Sequence, residues 1–197
     1  MGHERAAHIL SRLILSGFVS VLAGRDGSDR TDMALAIAKA WEAKKVRTLY
    51  LYTGPRPLTN EQGLWVRHCP GVAYEEIATL YREYELKNKA APEALIVDNW
   101  QQMFHGRRFG AYHDLKYSML WLKLFAFERQ LRTLIVETQH RNDLSPIRPR
   151  LLPSFISQEA KTTMVMHDSG EGGSQVTVWA NYNRPWGPGF RISHKKP

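Results

Sequence analysis

The stretch Gly24-Arg-Asp-Gly-Ser-Asp-Arg-Thr31 joins an apolar run to an amphipathic one. Its chemistry is that of a phosphate loop. A glycine-rich turn that opens a helix lets backbone N–H groups close around phosphate oxygens, where the helix N-terminus adds positive potential. The Walker A pattern G-x-x-x-x-G-K-[ST] is this device between a strand and a helix. Gly24 matches its first glycine and Thr31 its magnesium-binding hydroxyl, with Gly27 and Ser28 inside the loop. Asp29 stands in the second glycine position and Arg30 in the lysine position. A carboxylate there would repel a phosphate by on the order of 1–4 kcal/mol. The planar guanidinium is no equivalent of a compact ammonium. The competing reading is a plain strand–loop–helix junction with Asp29 or Ser28 as helix cap.

Positioning such a loop takes a sheet, and the apolar pattern predicts one. Short continuous runs at Val19–Ala23, Arg47–Tyr52, Ala94–Asp98 and Thr133–Glu137 read as strands buried on both faces. Helical periodicity separates them at Asp32–Lys44, Tyr74–Lys89 and Asp114–Gln130. Strands alternating with helices predict an α/β fold with a mostly parallel central sheet. Thr162–His167, Gln175–Ala180 and Phe190–Ser193 predict antiparallel strands at the C-terminal end. The Gly-rich turn Asp168–Gly173 joins the first two. We expect a single core domain over residues 1–194 and a short basic tail at 195–197.

The chain has 197 residues, and Lys plus Arg exceed Asp plus Glu by 27 − 19 = 8. That surplus favours polyanionic partners, nucleic acid foremost. No apolar run is long enough to span a bilayer, and Arg5, Arg12 and two histidines interrupt the N-terminal apolar stretch, which argues against a signal peptide. A single cysteine, Cys69, excludes an internal disulfide and reads as a half-buried thiol. The eight histidines show no ligand spacing, so no metal site is assigned. Trp41 and Trp179 read as core, and Trp186 as a surface or interface aromatic.

Taken in order, these motifs resemble the ATPase core of the RecA/RadA recombinase family, and its divergent paralogues in particular. Ile9–Leu13 through Val21–Gly24 resembles the lead-in to Walker A. Leu95-Ile-Val-Asp98 resembles Walker B, with Asp98 at the magnesium-associated position. Leu124–Gln139 resembles the helix and strand that deliver the sensor glutamine, here Gln139. Active members end the second strand with a glutamate that polarises water, and after Tyr50-Leu-Tyr-Thr53 that position falls on Gly54. The resemblance thus implies a RecA-like core with a degenerate loop and no catalytic residue. Residual binding of ATP with magnesium through Arg30, Thr31 and Asp98 stays open.

Two basic loops follow strands of the expected sheet, at the end where open α/β sheets take ligands. One contains His105, Arg107, Arg108 and Phe109; the other contains His140, Arg141, Arg148 and Arg150. In RecA-like recombinases such loops hold single-stranded DNA, which implies phosphate neutralisation by the arginines and base stacking by the aromatics. The resemblance implies an accessory paralogue that binds DNA and a recombinase or sister subunit during homologous recombination and repair. With so short an N-terminus, the separate helical domain of full recombinases is expected to be absent. The alternatives are a KaiC-like regulatory ATPase and a pure interaction scaffold. The location implied is a nucleus in a eukaryote and the cytoplasm in an archaeon.

Overall fold

The computed structural model describes residues 3–25, 29–54, 57–58, 64–102, 111–139, 158–168, 173–180, 184–185 and 191–195. Its elements run α1 (His3–Leu13), β1 (Phe18–Arg25), α2 (Arg30–Glu42), β2 (Thr48–Tyr52), β3 (Trp65–His68), α3 (Ile77–Asn88), β4 (Ala94–Asp98), α4 (Ala111–Arg129) and β5 (Arg132–Gln139). Then come β6 (Thr162–Asp168), β7 (Gly173–Ala180), β8 (Arg184–Pro185) and β9 (Arg191–Lys195). One sheet takes them in the order β3-β2-β4-β5-β1-β6-β7-β8, with β9 also on β7. The pairs from β3 through β6 are parallel, and β6–β7, β7–β8 and β7–β9 are antiparallel. The expected α/β architecture is therefore present, antiparallel C-terminal extension included.

The continuous apolar runs are explained by burial on both faces of the sheet, whose side chains alternate sides. Val19, Val21, Leu49, Leu51, Leu95, Val97 and Ile135 pack with α3 and α4. Leu22, Tyr50, Ile96, Leu134 and Val136 pack with α1 and α2. Trp41 is buried, and its indole N–H donates to the Ser11 carbonyl at 3.1 Å, which ties α2 to α1.

Several elements differ from expectation. Helix α1, which the apolar pattern did not predict, buries Ala6, Ala7 and Leu10, with Ile14 just beyond it. Strand β3 adds a four-residue edge beside β2. The helix expected from Tyr74 starts as a 3-10 turn at Tyr74–Glu76 and ends at Lys89, which takes the left-handed conformation. The last strand runs through Lys195, where a tail was expected to begin. Among the described residues no helix is long and apolar enough to cross a membrane.

Candidate functional site

The C-terminal ends of β1, β2, β4 and β5 converge where the sequence placed the phosphate loop. Register sets Gly24 beside Thr138 and Arg25 beside Gln139, and on the other side Tyr52 beside Asp98. Helix α2 starts at Arg30. Asp29 occupies its N-cap position without making a side-chain cap bond, so the capping role considered for it is not realised.

Arg30 is buried, and its Nη1 donates to the Gly24 carbonyl at 3.0 Å and to the Glu137 carbonyl at 2.7 Å. The cation in the lysine position thus clamps the ends of β1 and β5 together. Hydrogen bonds from a charged group are each worth about 1.5–3 kcal/mol, so the clamp is a substantial structural element.

Asp98 is buried at the end of β4, and Tyr50 on the adjacent strand donates its hydroxyl to Oδ2 at 2.7 Å. Burial raises the Asp98 pKa above the ordinary carboxylate value, against the pull of Tyr50, Thr31 and the Arg30 charge. Burial, together with the same contact, raises the Tyr50 pKa well above its usual value.

A second buried carboxylate, Glu137, was not singled out in the sequence. Side chains alternate along β4 and β5, so Asp98 shares the α1/α2 face with Ile96, while Glu137 shares the α3/α4 face with Ile135. Glu137 accepts from the Trp100 indole and from the Gln101 amide. Gln101 also donates to the Thr138 carbonyl at 3.0 Å. Asn99 holds a left-handed φ of 60°, which asparagine tolerates. Its Oδ1 accepts from Thr138 at 2.9 Å, and its carbonyl accepts from the Thr53 hydroxyl at 2.6 Å. The only sequence signal for this network was the run Asp98-Asn-Trp-Gln101 after a buried strand.

Gly54 follows β2, and a Cβ there would overlap the Tyr52 phenol. His68 on β3 holds the Gly54 carbonyl at 2.8 Å, and its ring tilts against Tyr52 at 5.9 Å. The Arg30 Nη1 donor is turned to carbonyls, and the Asp98 carboxyl is dehydrated and bound to a phenol.

Of the residues singled out in the sequence, the structure brings together Gly24, Arg30, Thr31 and Asp98, with the Gln139 backbone at the end of β5. Gly27, Ser28, His105, Arg107, Arg108, Phe109, His140, Arg141, Arg148 and Arg150 lie outside the described residues, as does the Gln139 side chain. Among the described residues no group of three or more His, Cys, Asp or Glu side chains could hold a metal ion.

No protein-family model matches the sequence, and no curated protein does. Solved structures do match at the level of fold. A solved ATPase domain superposes with a TM-score of 0.71 at 13% identity, over 90% of this chain and 81% of that one. A DnaB-like replicative helicase, described with its interactions with primase, gives 0.73 at 13% identity, over 91% of this chain and 56% of the helicase. These likenesses do not single out the recombinases that the motifs resemble. The chain shares the α/β fold of that ATPase domain and of that replicative helicase.

Proposed function

We propose that this chain is a non-hydrolysing RecA-like subunit that binds single-stranded DNA and pairs with a second RecA-like protein, a recombinase or a sister paralogue, in recombination and repair. The observation that carries the reading is Arg30. In the position of the phosphate-binding lysine, its guanidinium serves the fold by holding the Gly24 and Glu137 carbonyls. Gly54, where active relatives of the motif carry a glutamate, cannot orient or deprotonate water.

The surplus of eight positive charges supports a nucleic-acid partner. A protein partner is supported by the outer face of α4, where Leu124 and Phe127 are 62% and 61% exposed. Two large apolar side chains one turn apart in water are better explained by a contact than by the core, which they do not serve.

The test is a paired assay on the purified chain. ATP turnover is expected to stay at the level of a protein-free blank, with and without single-stranded DNA. Fluorescence anisotropy is expected to give DNA binding that weakens steeply with salt. Turnover that vanishes in Asp98→Ala would make the chain a working regulatory ATPase. Absence of DNA binding would leave an interaction scaffold. Leu124→Ser with Phe127→Ser is expected to keep the fold and lose capture of the RecA-like partner.

A further inference from the structure

The opposite edge of the sheet, at the N-terminal ends of its strands, holds a separate cleft of about 420 Å³ between α1, α2 and the start of β5. Eight residues of β1 separate the two edges, a span of roughly 25 Å. Ile14, Trp41 and Val46 contribute apolar lining, and Arg12, Lys44 and Arg132 line it with positive charge; no carboxylate lines it.

The neighbouring acids are engaged elsewhere. Glu42 accepts from the Thr48 amide at 2.9 Å, and Glu93 pairs with Arg47 at 3.4 Å. Among the described residues neither Lys44 nor Arg132 forms an ion pair. Helix ends do not account for so much charge. Helices α1 and α2 both finish at this edge, and two C-termini present about one negative charge between them. Three cations exceed that by about two, which is close to the charge of a phosphate monoester at neutral pH. Part of that excess is already felt by a neighbour. His8, one helical turn from Arg12 and 2.9 Å from its guanidinium, has its pKa lowered, first by Lys44, then by partial burial and by Arg12.

We propose that this cleft binds a phosphate-bearing ligand, with Arg12, Lys44 and Arg132 on the phosphate and Ile14 and Val46 against its less polar part. The phosphate belongs either to a small molecule or to a nucleic-acid backbone. The site is independent of whether the opposite edge holds nucleotide, so the two readings stand or fall separately.

The His8 ring proton resonance, followed by NMR through a pH titration, reports the site directly. Pyrophosphate is expected to raise the His8 pKa, because an anion between Lys44 and Arg12 cancels the field that lowers it. The double variant Lys44→Gln/Arg132→Gln, which changes one exposed and one half-buried side chain, is expected to keep the fold and weaken pyrophosphate at least tenfold. A short oligothymidylate that produces the same shift, with a shallower salt dependence in the double variant, assigns the phosphate to nucleic acid. A shift with pyrophosphate alone assigns it to a small molecule. No shift with either probe, an equal response in the double variant, or citrate binding as tightly as pyrophosphate would each overturn the proposal.

Discussion

Arg30 and Glu137 are 107 positions apart in the chain, yet the guanidinium of the first donates to the main-chain carbonyl of the second at 2.7 Å. The same nitrogen reaches Gly24, so the side chain closes a seam between neighbouring strands at the start of α2. That arrangement leads to measurable consequences.

Arg30→Met is expected to leave the Gly24 and Glu137 carbonyls without this donor and to destabilise the chain by about 2–4 kcal/mol. At this chain length that lowers the melting temperature by roughly 4–16 °C. Arg30→Lys, which restores the Walker lysine, is expected to create no ATP turnover. Thermal unfolding with an unchanged midpoint in Arg30→Met would remove the clamp from the account.

Asp98 sets a pH dependence. Its folded pKa lies above the ordinary value, so the folded chain binds that proton more tightly than the unfolded one. The contribution is most favourable below the ordinary carboxylate pKa and shrinks as pH rises through the raised one. Asp98→Asn, which keeps an acceptor for Tyr50, is therefore expected to gain stability at neutral pH relative to the native chain and to lose that advantage in acid. Tyr50→Phe is expected to act in the opposite direction at neutral pH, by about 1–3 kcal/mol. Denaturant titrations at two pH values check both signs.

The pair Tyr52 and Gly54 is expected to be coupled. Gly54→Glu is expected to cost about 1–3 kcal/mol because its Cβ meets the Tyr52 phenol, and to confer no hydrolysis. Tyr52→Ala introduced alongside it is expected to recover part of that loss. A double-mutant cycle with no coupling would mean that the phenol moves aside freely.

Cys69 is half-buried on the approach to the 3-10 turn, and burial pushes its thiol pKa up to about 11 from an ordinary 9.0. Near neutral pH the folded chain then carries about a hundredfold less thiolate than an open cysteine. Alkylation by iodoacetamide is expected to be slow in the native chain, to rise as pH approaches about 11, and to be fast after unfolding. Equal rates in native and unfolded chains would contradict this.

The parallel strands were legible because burial on both faces writes an uninterrupted apolar run, as in Ala94-Leu-Ile-Val-Asp98. Gly24, Arg30, Thr31 and Asp98 were legible as a group because one loop motif and one strand end specify them. The partners of those residues were not. Tyr50 reads as one more apolar strand residue, and only the register that sets β2 beside β4 makes its hydroxyl a partner for Asp98. Glu137 reads as the polar end of a strand, and its burial depends on Gln101 and Trp100 folding back across it from 36 and 37 positions away. Strand β3 is short and only partly buried, which leaves little apolar signal. Helix α1 did carry a periodic face in Ala6, Ala7, Leu10 and Ile14, obscured by His8, Ser11 and Arg12 between them.

Among the described residues, the sheet ends in fragments. At one margin β3 offers four residues, Trp65–His68, and at the other β8 and β9 divide the flank of β7 between two and five. Short margins of this kind give an incoming strand little length to pair with. Recruitment of another chain by strand exchange or fibril-like stacking is thereby discouraged, and recognition falls to side chains on helices and at strand ends, where single substitutions can retune it without disturbing the sheet.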